Sequence, residues 1–494
     1  MKNNQAIIIL TILLIITIPL FVLGCANGGG GKNTADAVQS TESEIGGGAE
    51  TSSAELQPNL PADITFDDYE FVFMVRGESY VEWQSQDIYA AEQTGEPVND
   101  AVYTRNLFLE DKYKIRIKEL GVSGDIANAA KKSIQAGSYD FDVVMANTNE
   151  SASLASQGFV YDLHLIPYLD LKQPWWDGRA VTQLTIGNIL YFMTGDLSIM
   201  ANDATWIMMF NKNLVTDFSL DVPYDLVNGN MWTFDKMYEM MNVVAADLDG
   251  NGTPDWQTDR YGLATHDSTF DGLFFGSSSH IISKDQYDMP YLDMNNERLV
   301  GVVAKSVKLM METNLTMNSS ALGLQPVRDL QPVFQSGRSL FYGEVMQCII
   351  RLRAMEIDFG VIPFPKYDEA QESYNHFIHP TACMVTVPLV NTELERTGII
   401  LEAMAAKSKY TLQEAYYFVC LEGKFMRDVE SKDMLDIIVN TRNYDIGYIY
   451  NWGNLSTFFM TVVKANGVDF VSKYAKAETS ALTAMDKTIN DWLS

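Results

Sequence analysis

Hydrophobic and polar residues divide the chain into three regimes. Ala6 to Leu23 is apolar apart from Thr11 and Thr17, and it follows a short end whose one basic residue is Lys2. Basic end, apolar run and a small residue at Gly24 form the order of a secretory signal. From Ala26 to about Pro61 the chain turns to Gly, Ser, Thr, Ala and Glu without an aromatic residue. Such a segment buries too little apolar surface to offset its ordering entropy and reads as a flexible leash. A coil of about 36 residues of this kind reaches roughly 30–36 Å. The third regime is patterned for folding. Tyr69 to Val75 is an apolar run between Asp67-Asp68 and Gly77, which predicts a buried strand. A polar, aromatic-bearing stretch follows to Asn99-Asp100, then a helix to Lys112, and Tyr113 to Ile117 alternates as a half-exposed strand does. Asp125 to Ala136 predicts a helix stopped by Gly137, and Tyr139 to Met145 a further strand. Strand, helix, strand, helix at this spacing argues for an α/β layer with a parallel sheet. Ligands in such sheets bind beyond the carboxyl ends of the strands, which makes Asn147 to Glu150 a site candidate. Leu401 to Ala406 and Leu412 to Val419 carry apolar residues at helical spacing.

Composition narrows the chemistry. The 494 residues suggest two or three compact units. With 35 Lys and Arg against 64 Asp and Glu the formal charge is -29, a field that repels nucleic acid and anionic lipid and excludes nucleic-acid binding. Cys348, Cys383 and Cys420 each sit in an apolar sequence and read as buried core residues, not as disulfides. Gly28 to Lys32 is no phosphate loop, because no strand precedes it and no Ser or Thr follows the lysine. No HExxH, GxSxG or zinc-type cysteine spacing occurs. His376 and His379 lie beside Pro380 in a loop or strand context, where a spacing of three puts them on opposite faces, so the pair is not read as a metal site.

Two resemblances add to this. Val22-Leu23-Gly24-Cys25 resembles the lipobox of bacterial lipoproteins. That implies diacylation of the Cys25 thiol, cleavage after Gly24, and a protein lipid-anchored to the cell membrane on its extracytoplasmic face. The other reading is an uncleaved signal anchor, since ~17–25 apolar residues span a bilayer. Further on, Gly137-Ser-Tyr-Asp-Phe-Asp-Val-Val-Met145 and Leu154-Ala-Ser-Gln-Gly158 to Asp162-Leu163 are similar to the first lobe of bacterial extracellular solute-binding proteins of the sugar-binding class. Trp206-Ile-Met-Met-Phe-Asn211-Lys212, Pro223 to Trp232-Thr-Phe-Asp235, and Phe334-Gln-Ser-Gly337-Arg338 with Phe359-Gly-Val-Ile-Pro363-Phe-Pro365 match further motifs of that family in the same order.

The resemblance implies an α/β, two-lobe periplasmic-binding-protein-like fold of type II with a hinge and a helical C-terminal segment. Residues 1–24 would be the signal peptide, 25–62 the linker, 64–198 and 364–415 the first lobe, and 199–363 and 416–494 the second. It implies a monomeric binding component of an ABC importer that takes a sugar or oligosaccharide between its lobes, performs no catalysis and docks on ABC permease subunits. Two other functions stay open. A lipid-anchored glycan-degrading enzyme needs only two carboxylates, and a receptor for a metal or peptide is the other.

A sugar presents apolar CH faces and polar edges, so its site needs aromatic rings with polar groups around them. Trp452 lies where the family places a stacking aromatic, and Tyr342 and Glu344 match its second-lobe cleft loop. Tyr80 and Trp83 follow the first strand, Asn147 and Glu150 follow a later one, and Asp203 and Trp206 stand at the first crossover. Trp175-Trp176, next to Pro174, reads as packing. The sharpest local motif is Asp247-Leu-Asp249-Gly-Asn251-Gly-Thr253-Pro-Asp255. Its oxygen donors and glycine fall at the offsets of a calcium loop, with Thr258 at the twelfth position and Asp259 or Gln257 available in its place. This predicts a structural Ca2+ held by Asp247, Asp249, Asn251, Thr253, Asp255 and Asp259. An Asp/Asn/Gly-rich solvated turn is the plain alternative.

Overall fold

The strand Tyr69–Arg76 (β1) buries Phe71, Phe73, Met74 and Val75. A strand covered on both faces reads as a near-continuous apolar run, as strands of a parallel sheet sheathed by helices do. The computed structural model that shows this describes residues 55–352, 355–421, 429–467 and 469–493. Cys25 and the side chain of Cys420 lie outside the described residues, and no described helix is long and apolar enough to cross a membrane.

Two sheets share one plan. The first has the order β2-β1-β3-β9, with β2 at Ile115–Val122, β3 at Val143–Asn147 and β9 at Cys383–Thr386. Here β1 runs parallel to β2 and β3, β9 runs antiparallel to β3, and Met193 bridges to Val385 on its far side. The second is built from Trp206–Asn211 (β4), Tyr261–Thr265 (β5), Thr316–Asn318 (β6), Ser339–Val345 (β7) and Phe359–Ile362 (β8). Its order is β6-β5-β7-β4-β8, with β4 antiparallel to both neighbours and β5 parallel to β6 and β7. Each sheet contains a parallel trio whose earliest strand is in the middle, β1 between β2 and β3 and β5 between β6 and β7, with an antiparallel strand, β9 or β4, beside the third. The chain thus crosses between lobes through 199–205 and returns through 363–382. The two crossings meet: Thr205 bridges Ile378, and the His379 amide donates to the Ala204 carbonyl at 2.9 Å.

Helices end where the chemistry of their caps ends them. Pro97–Tyr113 (α1) starts at Pro97 behind the Glu96 cap, whose carboxylate accepts the Asn99 amide at 2.7 Å. Ile126–Ala136 (α2) is capped by Asp125 and stopped by Gly137 at φ 71°. Thr148–Ser156 (α3), Met200–Asp203 (α4), Leu394–Lys409 (α5), Leu412–Leu421 (α6), Val429–Asn440 (α7) and Phe470–Leu493 (α8) follow.

The structure moves two element boundaries. Tyr113 closes α1, so β2 starts at Ile115. Tyr139 to Asp142 form no strand, because Asp142 instead accepts the Val72 amide at 2.8 Å and the Tyr69 and Tyr139 hydroxyls at 3.0 and 2.8 Å. The helix α6 packs on α1. Trp175 and Trp176 are buried, and both indole N–H groups donate to Glu402, at 3.1 and 2.8 Å. Cys348 and Cys383 are buried free thiols.

The C-terminal segment touches both lobes. Phe459 of the helix Leu455–Lys464 lies 5.3 and 4.4 Å from Phe270 and Phe274 in the second lobe. Tyr450 and Trp492 meet Phe192 and Tyr191 of the first at 5.9 and 4.8 Å. Asn149 donates to the Ile449 carbonyl at 2.8 Å. The turn before it requires glycine: Gly453 has φ +61°, and a Cβ there would stand 2.5 Å from the Ala481 amide nitrogen of α8. Gly453→Ala is expected to cost at least about 2 kcal/mol, from left-handed strain plus the clash. It would be read as a lower urea midpoint at unchanged m-value.

Candidate ligand-binding cleft

The carboxyl ends of strands from both sheets converge where the chain crosses between lobes. After β1 the loop Glu78–Trp83 turns at Val81, whose φ of 49° is a region that β-branched side chains rarely adopt. This loop reaches the second lobe. Gln347 donates to the Glu82 carbonyl at 2.8 Å, and Arg351 pairs with the Glu82 carboxylate at 3.0 Å and with the Gln347 side chain at 2.6 Å. Gln347 lies just past β7, and Arg351 is in the short helix Cys348–Leu352 that follows.

An aromatic belt runs beside these contacts. Trp83, half-buried, stacks on His379 at 6.5 Å and 22°. Trp206, at the start of β4, lies 6.4 Å from His379, 5.6 Å from His266 and 6.1 Å from Phe364. His266 follows β5 directly, and its Nε2 stands 3.4 Å from Glu344 Oε2 on β7. Burial pushes the Glu344 carboxyl up, but the hydrogen bond and charge of His266 outweigh it and hold the group below its ordinary value. Burial pulls His379 down to about 4, so it is a neutral ring at physiological pH. The belt therefore sets the Glu344 carboxylate, paired with His266, near the neutral His379 ring. Two buried donors nearby lack an acceptor among the described residues: the Trp206 indole N–H, and Nε and Nη2 of Arg76, whose guanidinium sits 5.8 Å from the Tyr80 ring centre.

The other sequence candidates have defined places. The Tyr80 hydroxyl donates to the Gly124 carbonyl. Asn147 and Glu150 form a capping box at α3, with the Glu150 amide on Asn147 Oδ1 at 2.8 Å and the Asn147 amide on Glu150 Oε2 at 3.2 Å. Glu150 Oε1 takes the Ile126 amide at 2.8 Å, so this carboxylate also anchors the start of α2. Asp203 is buried in α4 and accepts the Tyr416 hydroxyl at 2.8 Å. Tyr342 is fully buried in β7, 5.4 Å from Phe334. Trp452 is buried too, stacked on Tyr450 at 5.2 Å and 12°, and its indole N–H donates to Thr488 of α8 at 3.0 Å. Trp83, Trp206 and Glu344 thus join one belt, while Asn147 and Glu150 cap a helix and Trp452 packs under the C-terminal helix. Glu82, His266, Gln347, Arg351 and His379 were missed by sequence reasoning. His266 and Gln347 were within reach of the same strand-end rule that selected Asn147.

The acidic loop brings together three of its six candidates. Carboxylate oxygens of Asp247, Asp249 and Asp259 lie within 4.8 Å of one another. Asp259 is buried and closes the loop by accepting the Leu248 and Asp255 amides at 3.0 and 2.8 Å. Asn251 and Asp255 spend their side chains on the Thr253 and Gln257 amides.

No protein-family model matches the chain, and no curated protein matches its sequence significantly. Solved structures do match. An ABC substrate-binding protein from Listeria monocytogenes in complex with cycloalternan has a TM-score of 0.52 at 11% identity, over 85% of this chain and 98% of its own. UspC of M. tuberculosis gives 0.56 at 13%, over 84% and 100%. The maltose/maltodextrin-binding domain MalE from Bdellovibrio bacteriovorus, bound to maltotriose, gives 0.51 at 12%, over 84% and 99%. With the matching sheet orders and paired crossings, the chain has the two-lobed α/β fold of the type II periplasmic-binding class.

Burial pushes Asp203 up to about 7 from an ordinary 3.8, against the pull of the Tyr416 hydroxyl. Its protonated form favours the fold fully below pH ~4, and that contribution is lost as pH rises through 7. Asp203→Asn keeps the neutral shape. Relative to the parent chain it should gain at least about 1.4 kcal/mol between pH 4 and pH 8, one pKa unit's worth. Denaturant titrations at both pH values check this, and a variant weakened more at pH 8 than at pH 4 overturns it.

Proposed function

We propose that this chain is the substrate-binding component of an ABC importer, held outside the cell by an acyl anchor on Cys25, and that it takes a neutral sugar or oligosaccharide between its lobes. The observation that carries this is the belt of Trp83, His379 and Trp206 beside Glu344 and the Glu82–Arg351 pair, with walls from both lobes. Flat rings suit the CH faces of a sugar, and the carboxylate, amide and guanidinium groups suit its hydroxyls. Sugar oxygens would also supply acceptors for the unpaired Trp206 and Arg76 donors. The Listeria and Bdellovibrio proteins, solved with cycloalternan and maltotriose, share the fold and support an oligosaccharide ligand. Contacts from both lobes favour the closed form, which permease subunits would then read; the ligand drives closure only by its greater affinity for that form. We assign the chain no catalytic step.

In a thermal-shift screen, maltotriose, cycloalternan or another neutral oligosaccharide should raise the melting temperature, by about 2.7 kcal/mol of stabilisation at a hundredfold excess over Kd. Trp83→Ala should weaken that binding about tenfold, roughly 1.4 kcal/mol. Shortened products on a chromatogram after incubation would replace this reading with glycan cleavage, and silence across the sugar panel would end it.

We also propose a structural Ca2+ at Asp247, Asp249 and Asp259. Their oxygens are no further apart than two Ca–O bonds of ~2.4 Å, as oxygens around one ion must be. Removing calcium with EGTA should lower the melting temperature, and Asp249→Asn should abolish that effect while leaving sugar affinity unchanged. A chelator-insensitive melting temperature would leave the loop an Asx-rich turn.

A further inference from the structure

A cavity of about 550 Å³ opens at the first crossing, and none of the cleft residues Trp83, Trp206, His266, Glu344 and His379 lines it. Its size falls in the ~300–1,000 Å³ range of small-molecule sites. Its floor is built from fixed polar groups. Arg442, 6% exposed, donates to Thr205 Oγ1 at 3.1 Å and to Asn202 Oδ1, and its third nitrogen stands 3.6 Å from Asp177. Gln413, also buried, takes the Asn202 amide at 2.8 Å and donates to the Asp196 and Ser198 carbonyls at 2.9 and 3.1 Å. Trp176 contributes a ring whose N–H is already spent on Glu402. At the rim, the side chains of Arg179, Glu414, Asp436 and Asn440 make no hydrogen bond or ion pair among the described residues.

This set selects a ligand class. Cations (Arg179, Lys409, Arg442) and carboxylates (Asp177, Asp196, Glu414, Asp436) are mixed around one space, so neither a net anion nor a net cation is favoured. Planar bidentate groups and an aromatic ring match vicinal hydroxyls on a CH framework. The walls come from both lobes. Residues 174–198 and 409–417 belong to the first, Ala201 and Asn202 to the crossing, while 436–442 extend from α7, which packs on β8 and on the helix Pro223–Asn228 of the second.

We infer that this cavity is a second small-molecule site, for a neutral polyhydroxylated solute of mono- to disaccharide size, whose occupancy is coupled to the opening and closing of the cleft. The coupling rests on the hinge reading under Proposed function; the site itself does not. A solute touching both lobes has different affinities for the two arrangements, and linkage then makes each ligand alter the other's affinity by the same factor.

The test is calorimetric titration of the full chain with glucose, maltose and sucrose, together with hydrogen exchange of the backbone. Asn440→Trp fills the cavity from an exposed helix position, and Asp436→Ala removes one rim carboxylate without touching the floor. The expected result for at least one of the three sugars is slowed exchange within 409–417 and 436–442. Asn440→Trp should abolish it and Asp436→Ala should weaken it about tenfold, while Trp83→Ala should leave it in place. Addition of a cleft-binding oligosaccharide should shift the cavity affinity. Slowed exchange confined to the cleft loops 76–84 and 265–269, or a response that survives Asn440→Trp, overturns the cavity site and leaves the cleft reading standing. Equal cavity affinity with the cleft filled or empty overturns the coupling alone. No response to any sugar overturns the site, and if larger oligosaccharides are also inert, the cleft reading falls with it.

Discussion

Two segments that cross between the lobes in opposite directions are hydrogen-bonded side by side, and the site depends on that pairing. Thr205 against Ile378, and the His379 amide on the Ala204 carbonyl, tie the outgoing chain to the returning one. The Met346 amide then donates to the Thr205 carbonyl at 2.8 Å, which brings the end of β7 to the same place. Trp206 is the first residue beyond the outgoing crossing, and His379 lies on the returning one. Their approach therefore follows from the backbone pairing and needs no separate device. The common sheet order does the rest, because it aims the carboxyl ends of β1 and β3 and of β5 and β7 at this seam.

Electrostatics inside the molecule run against its surface. The chain carries a formal -29, yet burial shifts several of its interior acids and histidines toward their neutral forms. Burial pushes Asp203, Asp271 and Glu402 up to about 7 and pulls His376 down to about 3. Glu344 is the exception in the cleft, because His266 stands beside it. The Glu344 carboxylate thereby offers hydrogen-bond acceptance at one fixed point, close to the neutral His379 ring.

What could be read from the sequence was what is local. β1 announces itself by an apolar run, and α2 by Asp125 and Gly137, because strand burial and helix caps are set within a few residues. The order of the motifs carried the two-lobed fold. Asn147 and Glu150 were rightly placed at a strand end, but Asn-x-x-Glu before a helix is also a capping box, and the backbone claimed both side chains. In the acidic loop the offsets pointed to six ligands; Asp247, Asp249, Asn251 and Asp255 all accept nearby amides, and Asp259 closes the loop. Trp452 was legible as an aromatic in a turn, but not its cover, since Thr488 comes from a helix that packs over it. The pairing of Thr205 with Ile378, and of Glu82 with Arg351, lies beyond any local pattern.

The C-terminal segment has a consequence for how the molecule forms. Asn149 bonds to Ile449 across 300 positions, and Arg105 to Ser408 across 303. Closing loops of that size costs entropy before any contact repays it, and chains dominated by distant contacts fold slowly. The first lobe takes β9, α5 and α6 from late in the chain, and the helices from Leu455 onward complete the contacts of both lobes. A nascent chain therefore cannot finish either half until nearly all of it has been synthesised.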